Sequence, residues 1–100
     1  MSTQRGSTQG WRHLADIRFT DIRVRPDGVE IDAVSETGVP IRFAIDAETL
    51  RTISGHPRNT AVADLFEGRR EQILGVATRA FNAGVRGEPI RLLPTMFPEA

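Results

Sequence analysis

Few residues of this chain are of the types that do chemistry, and those few do not cluster. His13 and His56 are the two histidines. Neither stands in the two-ligands-on-one-helix spacing that zinc sites use. His13 has Asp16 nearby as its one candidate partner, and His56 beside Pro57 reads as a loop residue. Serines and threonines are plentiful, but none sits in a nucleophile-elbow context. With no cysteine and no lysine, thiol catalysis, disulfides, zinc ribbons and Schiff-base chemistry are excluded. Glu30 and Asp32 have the spacing of residues on one face of a strand and could flank a substrate. Arginines close by would hold both ionised, which is the wrong state for a general acid. The sequence therefore predicts no catalytic residue, no metal and no cofactor, and the chain reads as a noncatalytic module.

All thirteen basic residues are arginine, set against thirteen acids, for a formal net charge of zero. A GC-rich bacterial genome accounts for arginine without lysine. Zero net charge runs against indiscriminate nucleic-acid binding, which shows as a basic excess. Three arginines are nonetheless candidates for binding an anion or an acidic group: Arg23 and Arg42 on the sheet, and Arg70 on a long helix. Arg69 and Arg70 fall within or at the edge of that helix's apolar arc. One reading lays their methylene stems over the core with the charge sent to water or Glu67. The other presents Arg70 as a fixed fork to an anion or to an acid of another chain.

The elements that would position these side chains follow from periodicity. One hundred residues, 39% apolar and 26% charged, suit one small domain. Residues 1–12 read as a disordered leader without a secretory core, and 13–100 as a single α+β domain retained in the cytoplasm. No apolar run approaches the roughly 18 residues a membrane span needs. Ile22 and Val24 share a parity with Val29, Ile31 and Ala33 across Arg25-Pro26-Asp27-Gly28, which requires an even loop. Ile17 and Phe19 have the opposite parity, so a bulge or bend near Thr20-Asp21 is expected to break the first strand. Ile41, Phe43 and Ile45 reach the same inner face through an odd loop at Ser35-Glu36-Thr37-Gly38. The outer face then carries Arg23 opposite Glu30 or Asp32, with Arg42 beside an acid, as a charge ladder.

Asp46 is placed to cap a short helix from Ala47 to about Ile53, broken by Gly55-His56-Pro57. Asn59 or Thr60 should cap one long helix, about Asn59 to Ala83 and about 36 Å if unbroken. Val62, Leu65, Phe66, Ile73, Val76, Ala77, Ala80 and Phe81 form its apolar arc. Gly68 and Gly75 lie on the opposite side. Pro89 to Leu93 reads as a last strand with Ile90 and Leu92 inward, and Met96 and Phe97 fold back on the core. The expected architecture is two-layer α+β: a three-stranded antiparallel meander, a short helix, a long helix and a final strand.

These residues also resemble a known family. Val29-x-Ile31-x-Ala33, then Gly38-x-x-Ile41-x-Phe43-x-Ile45, Glu48-x-Leu50 and LFEGRREQILGVA (65–77) are similar to the short bacterial proteins of domain of unknown function 1488. The likeness spans roughly residues 16 to 97. Phe66, Arg70, Ile73 and Ala77 stand at the spacing of that family's helix. The resemblance implies three meander strands, two helices and a closing strand in two layers, with no activity or site residue to carry over. The leader and Trp11-Arg12-His13 are longer than the family's usual start, and Phe43 stands where cysteine is frequent. A domain this small buries about 60% of its unfolded surface, so association would help stabilise it. A protein partner or a second copy is therefore expected, with Trp11, Met96 and Phe97 as contact candidates. Nucleic-acid or small-anion binding through Arg23, Arg42 and Arg70 is the alternative.

Overall fold

The structure is a computed structural model, and it describes residues 17–55 and 59–98. The expectations for the leader, Trp11, His13 and His56 lie outside the described residues. Strands β1 (Ile17–Arg25), β2 (Gly28–Ser35) and β3 (Pro40–Asp46) form an antiparallel meander. Helices α1 (Ala47–Ser54), α2 (Val62–Gly68) and α3 (Arg70–Asn82) follow, then β4 (Ile90–Arg91) and a 3-10 turn at Pro94–Met96. The sheet order is β1-β2-β3-β4. This is the α+β architecture expected, with three departures in detail.

The first hairpin turns on Pro26-Asp27 alone, since Arg25 pairs with Gly28. Val24 then opposes Val29 and Ile22 opposes Ile31, as the even loop demands. At the second hairpin the Ser35 N–H donates to the Val39 carbonyl at 2.9 Å, closing an odd loop of residues 36–38. Ile41, Phe43 and Ile45 thereby face Ala33, Ile31 and Val29. The register shifts once in β1, between Phe19 and Asp21. That bulge brings Ile17 and Phe19 onto the same inner face as Ile22, and all three pack against the core. The first departure is that β1 remains one continuous strand: a bulge inserts one residue without ending the ladder.

The second departure is the long helix. It is two helices, separated at Arg69, whose φ of −128° and ψ of 18° are not helical. Gly68 is the local weakness, since glycine in a helix costs about 1 kcal/mol relative to alanine. The apolar residues keep one helical phase across the break, so both halves turn their arc to the core. Val62, Leu65, Phe66, Ile73, Val76, Ala77 and Ala80 are buried, and Phe81 is half-buried. Ala61, not Asn59 or Thr60, is the residue before α2, and no side chain caps it. At α1 the cap is Asp46, which accepts from the Thr49 N–H at 2.8 Å, and Gly55 closes the far end with φ 65°.

The third departure is β4, which has two residues where five were expected. It runs parallel to β3, with Phe43 opposite Ile90 and Ala44 opposite Arg91. Pro89 has no N–H to donate and Pro94 ends the extended stretch, so only the middle can pair. Ile90 and Leu92 are buried as expected, Phe97 is buried, and Met96 packs on the core half-exposed. Phe43 is fully buried at the centre, its ring 6.3 Å from that of Phe19. α1 packs on β2 and β3, and α2 on β1 and β2. The helices thus cover one face, leaving the ladder on the other.

Candidate interaction surface

The outer face of the sheet holds the expected ladder, and Arg23 is its centre. Its Nε and Nη2 donate to Glu30 Oε1 at 3.3 and 3.2 Å. Nη1 donates to Asp21 Oδ2 and Asp32 Oδ2, both at 2.9 Å, and Nη2 also reaches Asp32 Oδ1 at 3.2 Å. Five N–H groups is the whole donor capacity of a guanidinium. Arg25 adds a contact to Glu30, and Arg42 donates from Nε to Asp32 at 3.3 Å. Hydrogen bonds from Arg23 hold the carboxyls of Glu30 and Asp32 below their ordinary range. The same bonds, Asp32 first, raise the guanidinium further above its already high value. Both acids are thus fixed as anions, the state the sequence implied.

Of the three candidate arginines, the structure brings Arg23 and Arg42 together on Asp32 and places Arg70 elsewhere. Arg70 stands on the helix side of the sheet, its guanidinium 5.8 Å from the Phe66 ring centre and 3.3 Å from Glu67 Oε2. Its neighbour Arg69 donates to Gln72 at 3.4 Å. Ladder and Arg70 do not form one basic surface.

Arg70 and Glu67 instead border a groove of about 390 Å³ along β1, lined also by Phe19, Asp21, Ile22, Val24 and Phe66. The helices stop short of the strand here. Val24, expected to be fully inward, faces the helix layer but is 46% exposed because nothing overlies it. Parity fixed the face it points to and not how far the covering layer reaches.

Beside this groove runs an edge of the sheet that no other described strand covers. Strand residues alternate the side to which their backbone groups point. Leu92 donates its N–H to the Ala44 carbonyl at 2.8 Å, so Ala44 turns toward β4. Phe43 and Ile45 accordingly bond to Ile31 and Val29 of β2, and Glu30 and Asp32 turn to β1. Arg23 and Asp21 meet them, which leaves Ile22 and Val24 with N–H and carbonyl groups aimed outward. Among the described residues no strand pairs with that side of β1. Sequence reasoning missed this edge; the order of strands, not any single residue, creates it.

A larger hollow, about 610 Å³, lies between the β2–β3 turn and the end of α3. Its wall includes Phe81, Ile41, Ile90, Arg42 and Arg86. Arg86 is occupied there: Nη1 donates to the carbonyls of Phe81 and Val85 at 2.9 and 2.8 Å, and the guanidinium lies 3.9 Å from the Phe81 ring centre. Among the described residues no group of three or more metal-ligating side chains gathers, and no helix is long and apolar enough to cross a membrane.

Fold and surface together define a small sheet-and-helix module with, among the described residues, an open strand edge and a neutralised charged face. The chain is similar in structure to a protein of unknown function of the domain of unknown function 1488 family from Shewanella loihica PV-4, whose crystal structure it matches with a TM-score of 0.63. Identity is 20%, and the match covers 76% of this chain and 90% of the other. At that identity the likeness establishes the fold, and it falls on the family that the 29–77 motifs resemble. No family model and no curated protein matches the chain.

Proposed function

We propose that this is a noncatalytic, cytoplasmic, protein-binding module whose working surface is the free edge of β1 with the groove beside it. The observation that carries the reading is the edge itself: outward backbone groups at Ile22 and Val24, flanked by apolar side chains and the Glu67–Arg70 pair. An open edge templates addition of another strand, where main-chain bonds give affinity and alternate side chains give selectivity. The occupied donors of Arg23, and Arg42 sharing Asp32 with it, favour a protein over a polyanion.

The test is capture from a lysate of the native host, with and without nuclease, using the wild-type chain and Val24→Pro. Proline at position 24 removes an outward N–H, so no hydrogen bond among the described residues is lost. Protein recovered stoichiometrically by wild type, resistant to nuclease and lost with Val24→Pro, supports the reading. Nucleic acid in the eluate overturns it in favour of anion binding at the ladder or at Arg70, and partners indifferent to Val24→Pro overturn the assignment to this edge.

A further inference from the structure

We infer that the occupant of this edge is a second copy of the same chain, paired antiparallel along β1 with the two-fold axis at Ile22. The inference rests on the reading of β1 as the binding edge and names its partner. A two-fold axis between antiparallel strands places one residue opposite its own copy, and opposed residues share a face. Only a few registers exist in so short a strand, and charge separates them. An axis at Asp21 opposes two carboxylates, and an axis at Arg23 opposes two guanidiniums. An axis at Val24 sets Arg23 against Arg25 twice. An axis at Ile22 sets Asp21 of each copy against Arg23 of the other, twice, on the outer face. Opposed unlike charges stabilise a sheet pair and like charges destabilise it.

Further features fit this register. Ile22 is a residue whose N–H and carbonyl point outward, so the axis falls on a bonded pair in which the two copies exchange both hydrogen bonds. Asp21 contacts its own Arg23 through Oδ2 only, and the opposed guanidinium, its N–H groups already engaged within its own sheet, attracts this carboxylate by charge without a new hydrogen bond. On the helix side, the axis brings Ile22 against Ile22 and covers the exposed Val24, which falls opposite Thr20. Because the axis is perpendicular to the sheet, both helix layers lie on one side of the joined sheets. The two Glu67–Arg70 pairs then flank the same seam. The bulge at Thr20 interrupts the regular alternation of β1, so residues 20–24 are the stretch in which this register pairs evenly.

The chain contains no cysteine, so register can be read directly with introduced thiols. In a bonded antiparallel pair the two Cα atoms lie about 5.5 Å apart, inside the roughly 4.4–6.8 Å range of a disulfide. Full-length Ile22→Cys, Asp21→Cys and Val24→Cys would each be equilibrated in a glutathione buffer, and covalent dimer measured on non-reducing gels. Circular dichroism melts would establish that each variant is folded. The expected result is that Ile22→Cys forms at least about tenfold more dimer than either neighbour, the mark of a raised effective concentration. Thr20→Cys mixed with Val24→Cys should cross-link while neither does alone. Equal, low cross-linking at all positions overturns self-pairing, as does a maximum at position 21 or 24. If wild type then proves monomeric yet loses a different captured protein on Val24→Pro, self-pairing fails and the edge reading survives. If Val24→Pro changes nothing, both fail.

Discussion

Gly28 offers the sharpest check on how the β1 edge is positioned. It stands at the end of the two-residue turn, opposite both Arg25 and Asp46, with φ of 155°. A Cβ built there would lie 2.5 Å from the Ile45 carbonyl oxygen and 2.9 Å from the Asp46 Cα. Both are backbone atoms of the junction between β3 and α1, which cannot rotate away. The same junction is fastened to the turn by the Ala47 N–H donating to the Asp27 carbonyl at 2.9 Å. Gly28→Ala should therefore cost about 1–3 kcal/mol for crowding and about 1–3 kcal/mol for the backbone conformation. For a domain of this size each kcal/mol moves Tm by about 4–8 °C, so the melt should fall by at least about 10 °C. Gly38→Ala is the control: φ is 88° there, but nothing lies within 4 Å of the added carbon. It should cost the backbone contribution alone, about 1–2 kcal/mol. Urea titrations read by circular dichroism would measure both. Equal losses for the two variants would refute the close approach of turn and junction.

Asp46→Ala should lower stability by about 1 kcal/mol with an unchanged m-value, since it removes the bond to the Thr49 N–H and nothing in the core; chemical denaturation measures it. Glu30 and Asp32 have lowered folded pKa values, so between pH 7 and their ordinary values near 4.5 and 3.8 the ladder's contribution is in place. Below those values the unfolded state binds more protons, and stability should fall as pH drops through the folded pKa values. Melts of wild type and Arg23→Met against pH should diverge above pH 5 and converge in acid. Arg70→Met should change folding stability by no more than about 0.5 kcal/mol, because its pair with Glu67 is exposed. It should nevertheless weaken dimerisation measured by light scattering.

What the sequence disclosed and what it hid divide along physical lines. Parity is a local property, so the bulge at Thr20, both loop lengths and the burial of Ile31, Phe43 and Ile45 could be read directly. The cap at Asp46 was legible for the same reason. The break at Arg69 was hidden because the apolar residues on either side keep one phase, and periodicity reports phase rather than continuity. Arg23 and Arg42 could be paired with acids from register alone. Arg70 could not be separated from the ladder until its side of the sheet was known. The exposed edge of β1 was invisible: which described strand lies at the end of the sheet depends on where β4 docks, and a two-residue parallel pair leaves almost no trace in sequence.

The central claim is that β1 joins two copies of this chain, and sedimentation equilibrium of the full chain tests it most directly. Wild type should fit a monomer–dimer equilibrium with the dimer dominant at high concentration, while Val24→Pro, still folded by circular dichroism, should sediment as a monomer. A wild-type chain that remains monomeric at about 0.1 mM, where even a weak pair with micromolar Kd would form, would contradict the account. So would a dimer unchanged by Val24→Pro.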